Sequence, residues 1–256
     1  MSDDTMPIED YIAQGGVLTA PENMPARYRG EMMRLMSSFV DSELSASAGF
    51  ADAINLAPAI RERIAASRIT LEKADHALRV LQVMEGFGTD LRRYQASHDW
   101  SARLTRDADL GPARTGTDNR LAVFHYPLNG WTDAVVMNVL QGLATEVQME
   151  ELTRVSYGPL ADVFRDIAPR EAQHVDMGIK GLSRIITEPD GRDGAVTAIT
   201  YWRPRVAATF GVASSQRFGT LQKFGLRHTS NEDLLARWER LVEARLAPMG
   251  LTVSTA

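Results

Sequence analysis

Hydrophobic residues recur every three or four positions along two long segments near the start of the chain, residues 27–48 and 59–87. This spacing is typical of helices that bury one face against a core. The second segment begins beside Pro58 and ends at Gly86 and Gly88, an arrangement that favours a helix start and a helix stop. The two segments therefore predict an antiparallel pair of helices.

A second pair of helices is predicted at about residues 132–155 and 159–186, the latter ending before a turn at residues 188–191. The segment between the pairs, residues 100–131, has weak periodicity with several glycines and prolines, and it is long for a plain connection. We interpret it as a crossover. Two further helices are expected at about 195–213 and 234–247, and a capping box at residues 229–232 announces the last one.

Two helical hairpins joined by a long crossover are typical of a ferritin-like four-helix bundle. The sequence contains few alternating strand patterns, so the predicted fold class is all-α. We expect one ferritin-like domain, residues 1–256, with a core bundle at about 27–187 and accessory C-terminal helices at about 195–247.

Composition narrows the chemistry that such a bundle can perform. The formal net charge of -5, without a run of lysine and arginine, argues against nucleic acid as a partner. Because the chain has no cysteine, histidine, aspartate and glutamate are the strong metal ligands that remain. The acidic start lacks a signal-peptide pattern and no segment is apolar enough to span a bilayer, so a cytoplasmic protein without membrane contact is expected.

The stretch PREAQHV places Glu171 three residues before His174 in the predicted fourth helix. A lone pair of this kind is more often surface charge than a metal site. Known di-metal sites of ferritin-like bundles take a glutamate from each of two helices and Glu-x-x-His from each of the other two. The pair therefore needs support from elsewhere in the chain.

An internal repeat provides that support. When the first hairpin is shifted by 98 positions, the residues that coincide are His76 with His174, Lys73 with Glu171, and Glu43 with Gln141. The frame of a di-metal site is present, but two of its six expected ligands are replaced.

The chain resembles the ferritin-like subunits of the phenylacetate catabolic oxygenase, the multicomponent phenylacetyl-CoA epoxidase. The stretches that carry the resemblance are YIAQGGVLTAPENMPARYRGEMMRLMSSFVDSELSASAGF, INLAPAIRERIAASRITLEKADHA and RVSYGPLADVFRDIAPREAQHVDMG, and it covers roughly the first 190 residues. It implies an oxygenase in which two irons activate dioxygen and one oxygen atom is transferred to an aromatic ring held as a CoA thioester. It also implies a homologous subunit or a homodimer as a partner, and a reductase.

The resemblance assigns metal-ligand roles to Glu43, His76, Glu171 and His174. Lys73 stands where the second-helix glutamate belongs, and the third-helix ligand position falls at Gln141 or Gly142. Two other glutamates are candidate replacements. Glu146, four residues beyond Gly142, returns to nearly the same helix face, and Glu72 lies four residues before His76, although the spacing of the family points it aside.

The positive charge of Lys73 distinguishes between the hypotheses for the site. An ammonium beside two divalent cations would be repelled, so a complete di-iron site is a poor fit. A single iron or manganese held by His76, His174 and one or two glutamates remains open, with Lys73 as a proton donor and Glu146 as an additional catalytic group. In the opposite arrangement Lys73 neutralises Glu43 and Glu171 without any metal.

Three functions are therefore considered. The leading one is an oxygenase-family enzyme with a modified metal site that acts on an aromatic or acyl-CoA-type substrate. The alternative is a metal-free structural partner of such an oxygenase. A metal-storage bundle is disfavoured, because Lys73 opposes the accumulation of cations.

Overall fold

The computed structural model describes residues 6–111 and 118–251. These residues form nine α-helices and no β-strand, with one isolated bridge between Leu18 and Tyr157. In chain order the helices are α1 (Ile8–Ala13), α2 (Ala26–Ile54), α3 (Ile60–Glu85), α4 (Leu91–Gln95), α5 (Gly130–Leu152), α6 (Gly158–Ile185), α7 (Gly191–Ala207), α8 (Phe218–Lys223) and α9 (Asn231–Leu246).

The four long helices α2, α3, α5 and α6 form the bundle predicted from the sequence. Helix α2 packs along α3 and α5 packs along α6, and each member of one hairpin also contacts a member of the other, α3 with α6 and α2 with α5. Helix α5 is central, because residues 133–144 are buried without interruption and α7 and α9 cover its remaining side. The all-α ferritin-like fold is confirmed.

The crossover between the hairpins is tied to α2 through Asp41, which is fully buried. Its carboxylate accepts hydrogen bonds from the Tyr94 hydroxyl at 2.8 Å, the Trp100 indole at 3.3 Å and the Asn119 backbone N–H at 2.7 Å. A buried carboxylate needs such donors, since leaving it unpaired would cost several kcal/mol. The Asp41 contacts thus hold a connection that has little regular structure against the bundle.

Three helix boundaries differ from the sequence prediction. Helix α2 continues past Gly49 to Ile54, and α7 ends at Ala207 because a short 3₁₀ turn and Gly211, with φ of 80°, follow it. The predicted capping box begins one residue too early. Ser230 is the N-cap of α9 and accepts from the Asp233 N–H at 3.1 Å, whereas Thr229 donates to Glu151.

Across the described parts of the chain, no helix combines the length and the apolar character that crossing a membrane requires.

Candidate metal centre

The central layer of the bundle contains a cluster of charged side chains contributed by three helices. Helix α2 supplies Glu43, α3 supplies Lys73 and His76, and α6 supplies Glu171 and His174. All five residues are buried, with exposed fractions from 0% to 7%. The residues that the repeat and the resemblance single out are therefore brought to one interior place.

Lys73 occupies the middle of this cluster. Its Nζ donates hydrogen bonds to Glu43 Oε1 at 2.9 Å and to Glu171 Oε2 at 2.7 Å. Burial lowers the pKa of Lys73, but the negative charges of Glu171 and Glu43 and the hydrogen bonds to them outweigh this, so the pKa lies above its ordinary value. The side chain is an ammonium ion at any physiological pH.

The contacts with Lys73 and the two histidines change the pKa of Glu171. Burial would raise its pKa, but the charge of Lys73 and the nearby imidazoles of His174 and His76 hold it well below the usual range. Glu171 is therefore ionised, and its carboxylate lies within ion-pair distance of all three of these side chains.

The two histidines lie side by side, with ring centroids 5.9 Å apart and an angle of 28° between the planes. His76 Nδ1 lies 3.1 Å from Glu43 Oε2 and 2.8 Å from Glu171 Oε1. Burial lowers the pKa of His76, whereas the nearby carboxylate of Glu171 and the hydrogen bond to Glu43 raise it, and the balance is an increase. Its Nε2 has no hydrogen-bond partner among the described residues.

Glu72 completes the cluster on its outer side. Its Oε2 lies 2.6 Å from His174 Nε2, and its side chain is 20% exposed. The spacing of four residues before His76 indicated that Glu72 could turn toward the site, and in the structure it does. Asn138 of α5 was not singled out from the sequence; its Nδ2 donates to the backbone carbonyl of His174 at 2.9 Å. A polar residue within the apolar run of α5 was the available signal.

The third helix provides no carboxylate to the cluster. Gln141 is 8% exposed and its Oε1 lacks a hydrogen-bond partner among the described residues. At Gly142 a Cβ atom would lie 2.6 Å from Val175 Cγ2, so α5 and α6 approach too closely for a side chain there. Glu146 is half-buried, which raises its pKa, and the charges that act on it belong to Arg245, Asp176 and Glu150 rather than to the cluster.

The donor set decides which metal centre these residues fit. One ligand atom from each of Glu43, His76 and Glu171 lies within 4.8 Å of the others, a set that can hold a single ion. A pair of metal ions does not fit. The third-helix carboxylate is missing, and Lys73 both takes the place of the second-helix glutamate and engages the two carboxylates that would bridge the ions.

Fold and site together define a class of protein: a ferritin-like helix bundle with a carboxylate and histidine cluster inside the four-helix core. The family described as phenylacetic acid catabolic protein matches residues 5–256, and the chain belongs to this family. The resemblance found in the sequence is thereby confirmed.

A more specific similarity is to one of the subunits of the 1,2-phenylacetyl-CoA epoxidase of Escherichia coli (strain K12). The identity is 25% over 172 residues, which is 67% of this chain and 51% of the epoxidase chain. The chain thus spans about half the length of this relative.

Proposed function

We propose that this protein is a metal-free, non-catalytic subunit of a multicomponent oxygenase, which assembles with a related subunit that carries the metal. The observation that carries the proposal is the position of Lys73, whose ammonium donates to both Glu43 and Glu171 at 2.9 and 2.7 Å. The internal cation takes the role that a metal ion would have. This is the alternative from the sequence, now favoured over the enzyme with a modified metal site.

The electrostatics support this choice. Lys73 forms ion pairs with both Glu43 and Glu171, so these two carboxylates already have a buried cation beside them. A metal ion within about 4 Å of the ammonium would meet a repulsion of about 4 kcal/mol per unit of its charge at an effective dielectric constant of about 20. Entry of a metal therefore requires Lys73 to leave carboxylates that it already neutralises.

The outer face of α3 supports the assembly part of the proposal. Four large apolar side chains are exposed along it, Ile60 at 78%, Ile64 at 57%, Leu71 at 70% and Leu78 at 43%. Residues 64, 71 and 78 are spaced by seven, which places them on one face of the helix. We call these four residues the α3 stripe and assign it to the contact with the metal-bearing subunit, since aligned exposed apolar residues indicate an interface.

Metal analysis after expression in iron- and manganese-supplemented medium tests the proposal. The unmodified chain is expected to contain far less than one metal ion per chain and to give no oxygenase activity alone. Lys73→Glu removes the ammonium and adds a carboxylate, so this variant should bind iron. Lys223→Glu, which makes the same change at an exposed position, is the matched control and should remain metal-free. One tightly bound ion per unmodified chain would overturn the proposal.

A single-metal oxygenase is the second candidate, because Glu43, His76 and Glu171 offer three converging donors and His76 Nε2 has no other partner among the described residues. In that case Lys73 is the proton donor, and iron or manganese would activate dioxygen for a CoA-type substrate with electrons from a reductase. Stoichiometric metal that is lost in His76→Ala and retained in Lys223→Glu would favour this candidate.

A further inference from the structure

A cavity of about 240 Å³ opens at the end of the bundle away from the α5–α6 turn. It lies where the C-terminal parts of α2 and α6 meet the N-terminal parts of α3 and α5. Its walls are mainly apolar, and the larger apolar side chains that line them are Phe50, Ile64, Ile69, Trp131, Val135 and Met177.

Small residues on facing helices create this space. They are Ala65 and Ala66 on α3, Ala134 on α5, and Gly178 and Gly181 on α6. A Cβ atom at Gly178 would lie 2.6 Å from Asn138 Nδ2, so that glycine lets α6 approach the polar inner end of the cavity. Asn138 also donates a hydrogen bond to the backbone carbonyl of His174. The inner end of the cavity is therefore separated from the buried cluster by the Asn138 side chain.

The mouth of the cavity is strongly basic. Arg61, Arg68, Lys180 and Arg184 line it together with one acidic residue, Glu62. Glu62 is paired with Arg184 at 2.8 Å. Within the described ranges, no carboxylate forms an ion pair with the other three cations. An apolar interior below an uncompensated positive rim is complementary to a ligand with an apolar body and an anionic end.

We propose that this cavity binds a small amphipathic anion, with its apolar body between α3, α5 and α6 and its carboxylate or phosphate group at the Arg61, Arg68 and Lys180 rim. The volume exceeds the roughly 150 Å³ of a protein cavity that accommodates benzene, so a substituted ring or a chain of about eight carbons fits. This inference goes beyond the proposed function and does not depend on the metal content of the chain, since the cavity and its rim contain none of the clustered carboxylates or histidines. The cavity shares one residue with the α3 stripe, Ile64, and the binding tests therefore use the isolated chain.

Calorimetric titration of the full chain with octanoate, octyl phosphate and 1-octanol tests the inference. The two anions should bind in a saturable manner, and the neutral alcohol, which has the same chain length, should bind at least about tenfold more weakly. The stronger of the two anions identifies the head group. Failure of both anions to bind, or equal binding of the alcohol, overturns the proposal.

Variants locate the site. Arg68→Gln combined with Lys180→Gln should weaken anion binding at least about tenfold, whereas Arg63→Gln, an exposed arginine of α3 outside the cavity, should leave it unchanged. Ala65→Phe fills the cavity from its half-exposed side and should abolish binding while the circular dichroism spectrum is retained. Equal loss in Arg63→Gln would mean nonspecific attraction and would reject the site, as would unchanged binding in Ala65→Phe.

Discussion

Lys73 Nζ lies 2.7 Å from Glu171 Oε2, and these two residues occupy matching positions in the two helical hairpins, 98 positions apart. In a bundle with two metals, both positions would carry glutamate. Here the first of these positions carries a lysine, and Lys73 is the counter-ion of Glu171. A metal ion could use Glu171 as a ligand only if the ion pair with Lys73 were broken.

Removal of the ammonium should destabilise the fold. In Lys73→Met a side chain of similar length leaves Glu43 and Glu171 buried without their cation, and the loss of one partner from a buried ion pair costs about 3–5 kcal/mol. Urea unfolding followed by circular dichroism should show a loss of this size. The control Lys223→Met, at an exposed lysine, should change the unfolding free energy by less than about 0.5 kcal/mol. Equal stability of the two variants would contradict a stabilising role of the ion pairs of Lys73.

The stability of the protein should decrease as the pH rises above about 6.5, the ordinary pKa of histidine. The pKa of His76 is raised from 6.5 in the folded state by Glu171 and Glu43, so its stabilising contribution is complete below 6.5 and disappears as the pH passes through the raised value. In this range Glu171, whose pKa is lowered, and Lys73, whose pKa is raised from 10.5, both stay charged.

Unfolding free energies measured between about pH 6 and about pH 9 test this effect. His76→Gln should flatten the decline, because glutamine does not titrate. His98→Gln is the control, since His98 packs against Tyr94 and Trp100 in the crossover rather than against the buried carboxylates. A decline of unchanged steepness in His76→Gln would assign the pH dependence to another group.

Gly142 should tolerate no side chain unless Val175 becomes smaller. A Cβ atom 2.6 Å from Val175 Cγ2 overpacks the α5–α6 contact, so Gly142→Ala should cost about 1–3 kcal/mol. The double variant Gly142→Ala/Val175→Ala should recover part of this loss. Gly30→Ala is the control: no atom lies within 4 Å of its Cβ position in helix α2, and it should stabilise the protein by up to about 1 kcal/mol. Additive losses in the double variant would contradict the steric explanation.

The α3 stripe should be required for assembly. Leu71→Glu places a charge at a 70% exposed position, so the chain should fold normally but lose its contact with a co-expressed metal-bearing subunit of the same oxygenase. Native mass spectrometry of the purified complex measures this. Val212→Glu, at an exposed valine that is 58% accessible, should have no effect. If Leu71→Glu leaves the complex intact and instead dissociates a homodimer, the stripe joins two copies of this chain.

Helices α2 and α6 were predictable because each carries a periodic apolar face that packs into the core. For α3 the helix was predicted correctly but its buried face was not, because Ile60, Ile64, Leu71 and Leu78, which belong to the apolar repeat, are exposed. Helix α5 is buried on all sides, so its limits followed from the residues at its ends rather than from a periodic face. The short helices α1, α4 and α8 have five or six residues, which is too few for periodicity to separate them from a turn. The helix cap at residue 230 was misassigned to Thr229, because both residues have a hydroxyl and only the structure shows which one faces the first turn.

The cluster was predictable because His76 and His174 recur at an interval of 98 positions and the residues three positions before them, Lys73 and Glu171, coincide in the same frame. The orientation of Glu72 was open, since the spacing of the family pointed it away from the centre and only the position of His174 brings the two within 2.6 Å. The cavity was not predicted at all. Its small residues are distributed over three helices, and none of those helices alone shows that the gaps face one another.

The close approach of α5 and α6 at Gly142 has a consequence for how this sequence can diverge. A carboxylate at position 142 becomes possible only after residue 175 has become smaller, and it becomes useful only after Lys73 has been exchanged. Each of these changes, made alone, would lower the stability of the protein. A carboxylate on the third helix of the bundle therefore depends on coordinated changes at residues 142, 175 and 73, whereas a carboxylate at position 73 needs only one exchange.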